Sequence, residues 1–507
     1  METYWFDARR AGYLAVLDHL GVAGVQNWHR SFVSTSASTR QRLEEGGVVS
    51  ELFSSQYWPG ESVCDHLAFA LKYDGVNLAL LSLIFETMDR AELVSYITSK
   101  PTGKYGRRLW FFYEFLTGIR LDMEDLETSN YVDALDRQQY YTIEGGERSA
   151  RHRVVNNLLG PRSFCPVVRK TEKLAQCESI DLAARSEHSV QAFEKHLLHR
   201  ALGFLYNTET KSSFAIEHVH PSASRTERFV ALLEQAGRED FLSKQRLIAL
   251  QNQIVDPRFM DTDYRTNQNY GGQSTARYDL VVHYITPKPE DLPSLMEGLV
   301  ASHHRMKDGT LPPVIHAAVV SYGFVFLHPF EDGNGRIHRF LIHNILSLRE
   351  AIPKPIMFPI SAVLKNNPAA YDASLEAFSK PLLRLLDYAV DRSGRMMVKT
   401  DSARWYRYMD LTAQAEALSA FLIETVEVEL PNELNFLVAY DATKHALQAI
   451  VDMPDHLIDL FIRLCIQNNG VLSQRKRTAQ FASLTDEELT AMESVIQDRY
   501  EHLSRNR

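Results

Sequence analysis

A mainly α-helical fold is predicted by three features of this sequence. Apolar residues recur at helical spacing through most of the chain, and N-cap and C-cap signals punctuate those runs. Strand-type composition stands out only in two hairpin-like stretches, near residues 139–160 and 264–286. At 507 residues, 45% hydrophobic and 23% charged, the composition is that of a globular protein with room for two or three domains. The expected division is a mostly helical region over 1–185, a central domain over 190–392 and a helical region over 395–507. A net charge of −9 argues against nucleic acid as a partner of the chain as a whole. Cys64, Cys165, Cys177 and Cys465 show no Cys-x-x-Cys spacing, so reduced, mostly buried thiols are expected and a structural zinc site is not.

The elements follow in order. The N-terminus has an early acid and no long apolar stretch, so no signal peptide is read there. Helices are expected over Asp65–Tyr73, Leu78–Met88 and Arg107–Leu116, the last a buried helix with two solvated arginines, Arg107 and Arg108, at its start. Tyr140–Glu144 and Arg153–Val155 flank Gly145-Gly146 and suggest a hairpin. In Ser212-Ser213-Phe214-Ala215-Ile216-Glu217-His218, Ser213 and Glu217 stand four apart and share one helix face. Capping signals then start a helix near Arg225–Gln235, and another helix is expected over Leu242–Gln253. Tyr264–Gly272 and Tyr278–Ile285 read as a second hairpin, and Pro287–Pro293 leads into a helix over Ser294–His304. Pro312-Pro313 opens the most apolar run, Val314–Leu327, which is shorter than the roughly 20 residues a bilayer requires. It is read as a buried central helix, with no membrane partner and a cytosolic location. Asn366-Asn367-Pro368 introduces a helix around Tyr371, and the C-terminal region carries helices near Ala415–Val426, Tyr440–Ile450 and His456–Gln467. Thr485-x-x-Glu488 caps the last helix. His196/His199, His303/His304, His316 and His338/His343 offer no metal-type spacing.

The stretch with chemistry in it is His328-Pro-Phe-Glu-Asp-Gly-Asn-Gly-Arg-Ile-His-Arg339, a turn feeding directly into a helix. Its two glycines let the backbone bend and approach a ligand without a Cβ in the way. The free N–H groups of the helix start, with the positive end of the dipole behind them, suit an anion such as phosphate. Arg336 and Arg339, three apart, can grip outer phosphates. Asp332 suits a magnesium ion bridging phosphate oxygens. His328 is a neutral-pH base for a hydroxyl proton.

This stretch resembles the motif of the Fic family, His-x-Phe-x-(Asp/Glu)-Gly-Asn-Gly-Arg-x-x-Arg. Every specified position matches: His328, Phe330, Asp332, Gly333, Asn334, Gly335, Arg336 and Arg339. Average residue usage would supply the pattern in a chain this long with a probability on the order of 10⁻⁸, which removes coincidence as an explanation. The resemblance implies a Fic-type helical bundle with a β-hairpin flap at 264–286. It also implies transfer of AMP from ATP to a Ser, Thr or Tyr hydroxyl of a target protein, which would lie along the flap. On that analogy His328 is the base and Asp332 the ligand of magnesium, or of manganese in its place. Gly333–Gly335 form the anion hole, Asn334 orients the α-phosphate, and Arg336 and Arg339 hold the outer phosphates. Asn367 would line the adenosine end.

Ser213 and Glu217 resemble the family's inhibitory helix, (Ser/Thr)-x-x-x-Glu-(Gly/Asn), with His218 departing from the last position. Glu217 would then pair with Arg339 and take the space of the γ-phosphate. A rival, Thr142-Ile143-Glu144-Gly145, has Tyr140 four before its glutamate where Ser or Thr is needed. The expectation is an autoinhibited protein adenylyltransferase, with self-modification or a homo-oligomer as further partner modes. The alternatives are removal of AMP by the same site, or a nucleotide-sensing regulator that touches DNA through its C-terminal helices and the Arg475-Lys476-Arg477 loop.

Overall fold

The computed structural model describes residue 5 and residues 7–191, 193, 195–274, 280–354, 356–391 and 393–500. It is mainly α-helical, with a few short strands. The chain forms two compact units. One comprises residues 1–180, 213–351 and 364–421, and the other comprises 181–212, 352–363 and 422–507.

In the first unit, the helix Pro313–Leu327 is apolar all round and almost wholly buried, as a central helix must be. Full burial of side chains such as Phe324 and Leu327 contributes about 1.5–3 kcal/mol each. The helices Leu292–Lys307 and Asn334–Leu348 pack against it. The expected boundary near 185–190 does not separate the N-terminal region from this core. Cys165 and Val167 donate backbone N–H bonds to Arg407 and Met409 at 2.6 and 2.9 Å, and Ser302 Oγ donates to Phe164 C=O at 2.8 Å. A Cβ at Gly298 would lie 2.7 Å from Phe164. The N-terminal region is thus sewn into this core by contacts distant in sequence.

That region is less helical than expected. Arg9–Ala11, His29–Ser34, Val48–Ser54 and Gln41–Glu45 form a four-stranded sheet in that spatial order. His29–Ser34 runs antiparallel to the first strand and parallel to Val48–Ser54, with His29 opposite Val49. The hairpin expected around Gly145-Gly146 lies further on. Glu147–Ser149 pairs antiparallel with Val154–Asn156, because Tyr140 and Tyr141 are buried in the core and leave the strand to later residues. The helix expected over Arg107–Leu116 spans Lys104–Thr117, but its two arginines are buried rather than solvated. Arg107 donates to Asn130 C=O at 3.0 Å and Arg108 to Ala134 C=O at 2.9 Å, which gives each guanidinium a backbone partner inside the protein. Cys64, Cys165, Cys177 and Cys465 are all free thiols.

The second unit is helical, and its core includes Leu447, Ile458, Phe461, Ile462, Met492 and Ile496. The helix Leu430–Ile450 runs beside Asp486–Tyr500, whose start carries the expected reciprocal cap between Thr485 and Glu488. No helix among the described residues is long and apolar enough to cross a membrane.

Candidate active site

The site is built where the central helix ends and the next begins. His328 terminates Pro313–Leu327 in the left-handed region, with φ 49° and ψ 60°. That conformation is uncommon for a residue with a Cβ, and it turns the chain sharply. The imidazole Nδ1 faces Val325 C=O at 3.2 Å. A carbonyl only accepts, so Nδ1 carries the hydrogen and Nε2 keeps its lone pair. Burial pushes the imidazole down to about 4, against the pull of the Val325 hydrogen bond. At neutral pH it is therefore an uncharged base.

The turn that follows is held by Asn334. Its Oδ1 accepts from Phe330 N–H at 3.1 Å and its Nδ2 donates to Phe330 C=O at 2.7 Å. The side chain expected to orient a phosphate thus also braces the loop. Gly333, at φ 90°, precedes Asn334–Leu348 and gives that helix its start. The first helical bond runs from Ile337 N–H to Gly333 C=O at 2.9 Å. The N–H groups of Asn334, Gly335 and Arg336 come before it and have no partner within the helix. These are the groups that the sequence reading assigns to an anion.

That end already faces a carboxylate. A Cβ at position 335 would lie 2.4 Å from Glu217 Oε1, so only glycine admits so close an approach. Glu217 Oε1 lies 2.8 Å from Arg339 Nη2, and Oε2 lies 2.7 Å from Arg336 Nε. The contact with Arg336 is an ion pair without hydrogen-bond alignment. Both guanidinium groups are buried, at 1% and 2% side-chain exposure, while Glu217 is a quarter exposed. Ser213 completes the clasp, since its Oγ and C=O accept from Arg339 at 2.8 and 2.6 Å. The pairing expected for Glu217 is therefore present, and it extends to Arg336 as well.

Local structure explains the placement. The helix Lys195–Ile216 ends just before Glu217, and His218 adopts φ 55°. Val219 N–H bonds back to Phe214 C=O at 3.1 Å, which closes a left-handed C-terminal turn. His218 thus takes the conformation for which the family pattern has Gly or Asn. Phe214, fully buried, lies under Arg336, whose guanidinium carbon is 5.2 Å from the ring centre.

Asp332 Oδ1 pairs with Arg336 Nη2 at 2.7 Å and accepts from Gly333 N–H at 2.6 Å, with the carboxylate about half exposed. Asp261 lies nearby, bonded to Glu331 N–H at 3.2 Å. Burial raises the Asp261 carboxyl, and the Asp332 charge raises it further. One reachable carboxylate with a second beside it fits a magnesium ion that takes its remaining ligands from phosphates and water. Asn367 stands at the N-terminal boundary of the helix Pro368–Leu383, and Tyr371 one turn later meets Arg339. Burial raises that phenol despite the guanidinium.

The residues 241–346 match the Fic/DOC family. This chain carries a Fic domain. Within it fall every motif residue from His328 to Arg339, the hairpin and the central helix. Over 105 residues the chain is 36% identical to the protein adenylyltransferase Fic of Drosophila sechellia and to that of Drosophila melanogaster. The match covers 21% of this chain and 19% of each relative, so it spans about a fifth of their length. Among solved structures, a Fic family protein from Desulfovibrio desulfuricans covers 66% of this chain and 90% of its own at 18% identity and TM-score 0.36. Fic-1 (residues 134–508) from C. elegans covers 72% and 90% at 17% identity and TM-score 0.28.

The Fic domain also holds residues that the sequence did not single out. Arg265 is buried and bonds the backbone of His328, which no local pattern signals. Gln251, wholly buried, donates to Phe259 C=O at 3.0 Å and Asp332 C=O at 3.4 Å, which supports the turn from behind. His303 and His304, whose spacing suggested no metal site, form with Asp240, just outside the matched residues, a cluster of metal-ligand type. Its hydrogen bonds oppose a metal, however. Arg349 donates to His316 Nδ1 at 3.2 Å, so His316 Nε2 carries a hydrogen and gives it to His303 Nδ1 at 3.0 Å. His303 Nε2–H then points at Asp240 Oδ2 at 3.0 Å and has no lone pair to offer. Lys307, 3.7 Å from the same oxygen, adds a competing cation.

Proposed function

We propose that this site transfers AMP from ATP to a Ser, Thr or Tyr hydroxyl of a target protein, and that Glu217 holds it at rest. The observation that carries this reading is the Glu217 carboxylate lying across Arg336 and Arg339 at a helix N-terminus, beside an imidazole with a free Nε2. Two buried guanidinium groups and unpaired N–H groups make a place for an anion, and a carboxylate fills it. When the outer phosphates of ATP displace Glu217, Arg336 and Arg339 neutralise them and orient the α-phosphate toward His328.

The target hydroxyl oxygen then forms a bond to the α-phosphorus as its proton passes to His328 Nε2. The bond from the α-phosphorus to the oxygen bridging to the β-phosphate breaks, and pyrophosphate leaves with the electron pair. Positioning and charge neutralisation supply most of the acceleration in such a transfer. Asp332 would hold a magnesium ion, which adds positive charge at the phosphates when bound. The target segment would pair with the hairpin Tyr270–Ser274 and Leu280–Ile285, since an edge strand holds a backbone while leaving its sequence free.

The test uses the 507-residue chain carrying Glu217→Gly, incubated with α-labelled ATP, magnesium and cell lysate. Labelled protein bands stronger than those from the unaltered chain, and absent with His328→Ala, support transfer. Equal labelling by the unaltered and Glu217→Gly chains would show that Glu217 restrains nothing.

A further inference from the structure

One guanidinium joins the hairpin to the turn that bears the base. Arg265 donates from Nε to His328 C=O at 2.8 Å, from Nη1 to Asn267 C=O at 2.7 Å and from Nη2 to Pro287 C=O at 2.7 Å. Its own N–H bonds Pro329 C=O at 2.8 Å. Asn267 stands before the strand Tyr270–Ser274 and Pro287 after the strand Leu280–Ile285, so the fork grips both feet of the hairpin. Tyr284 ties the hairpin to the central helix through a hydrogen bond to Phe326 C=O, and Tyr406 bonds Ile285 C=O.

The side chain is only 4% exposed, and each of the acceptors named is a backbone carbonyl. Burying a cation against carbonyls alone is costly, and burial pushes this guanidinium down to about 10. A position needing nothing more than packing would not require that charge. The planar fork reaches three diverging carbonyls at once, which the ammonium of lysine does not reproduce.

We propose that Arg265 is a positioning residue of the transfer site, fixing the two feet of the hairpin and the carbonyl of His328 in one register. A target backbone laid along the hairpin then presents its hydroxyl at His328 Nε2. The proposal rests on the reading of His328 as the base. His328 sits at a left-handed position, where a small backbone rotation swings the ring. A misplacement of about 1 Å at a reacting group costs about 100-fold in rate. The Arg265 charge also acts on the ring. It opposes a proton on His328, while the charges of Glu217 and Asp332 favour one.

The experiment compares Arg265→Lys and Arg265→Gln in the Glu217→Gly chain. His328 is followed by ¹⁵N-histidine NMR, assigned by difference from His328→Asn, and AMP incorporation is followed with α-labelled ATP and lysate. Calorimetry with ATP and magnesium gives the affinity. Arg265→Gln is expected to raise the titration point of His328 and to mix its two neutral tautomers. Arg265→Lys keeps the titration point low but still mixes the tautomers. Labelling drops about 100-fold in both, and ATP affinity stays within about twofold. The proposal is overturned if His328 keeps one tautomer in both variants, if lysine restores full labelling, or if ATP affinity falls in step with labelling. If the Glu217→Gly parent labels nothing while the variants disturb His328 as described, the positioning role stands and the transfer reading falls.

Discussion

Glu217→Gly gives the sharpest test, because it moves stability and ligand affinity in opposite directions. Glu217 pairs with Arg336 and Arg339, both nearly inaccessible to water, and Asp332 pairs with Arg336 as well, so Arg339 depends on Glu217 for its carboxylate partner. Removing one partner from a buried pair costs about 3–5 kcal/mol, since the remaining charge is left uncompensated. Glu217 is itself a quarter exposed, which weakens its hold, so about 2–3 kcal/mol is expected. The variant without nucleotide should unfold at lower urea by that amount. The same carboxylate must be displaced before phosphates reach the arginines, so its removal returns the interaction to the ligand. A gain of about 2 kcal/mol corresponds to about 30-fold tighter ATP binding, at about 1.4 kcal/mol per tenfold. Urea unfolding with and without ATP and magnesium, together with calorimetry, reads both quantities. The expected result is a crossing: Glu217→Gly less stable than the parent alone, and gaining more from saturating ATP. Unchanged ATP affinity would refute the argument, because the carboxylate would not then stand where phosphates bind.

Three further outcomes follow from the same contacts. Asn334→Ala removes both partners of the Phe330 backbone, and leaving buried groups unpaired costs about 1–3 kcal/mol each. A denaturation shift below about 0.5 kcal/mol would show that the clasp does not brace the turn. His328 holds its proton only below about 4, so labelling is expected to be level from about pH 5.5 to 8 and to fall only in stronger acid. A rate that halves between pH 7 and 6 would contradict a base so depressed. Burial holds His316 down to about 2 and His338 to about 3, both below the unfolded value near 6.5. The unfolded chain then takes up protons first as pH falls, so their contribution is intact above pH 6.5 and erodes below it. Each is expected to lose about 2 kcal/mol by pH 5. The urea midpoint should therefore drop between pH 7 and 5, and drop less in His316→Gln.

How much was legible in the sequence depends on how far apart the cooperating residues lie. The turn from His328 to Arg339 was readable because base, glycines and arginines sit within one loop and one helical turn, where spacing alone dictates geometry. Glu217 was readable only through its serine four residues back and a family likeness. Its second partner, Arg336, depends on how Phe214 seats the helix end, which no spacing encodes. Arg265 was invisible for a plain reason: its partners are carbonyls, and carbonyls carry no sequence signature. The N-terminal sheet escaped notice because its strands are short and pair out of chain order, with Val48–Ser54 between His29–Ser34 and Gln41–Glu45. Arg107 and Arg108 were misjudged by applying a surface preference to residues whose backbone acceptors lie more than twenty positions away.

A deeper constraint links the motif to its restraint. Two guanidinium groups cannot remain buried side by side without an anion, because neither can lose its proton and each raises the energy of the other. Asp332 pairs with Arg336 alone, so a site shaped to grip phosphates keeps one uncompensated charge whenever nucleotide and Glu217 are both absent. A carboxylate on an adjoining helix end meets that need, and under the proposed function it would compete with ATP for the same arginines. On this reading restraint is not a device added to a finished enzyme but a consequence of burying the phosphate clamps. Arg339→Gln, which leaves Arg336 as the one clamp, should therefore reduce the destabilisation caused by Glu217→Gly. A double-mutant cycle on urea unfolding reads that coupling directly. Additive effects of the two substitutions would mean that the charges at 217 and 339 stabilise the fold independently, and the link would be lost.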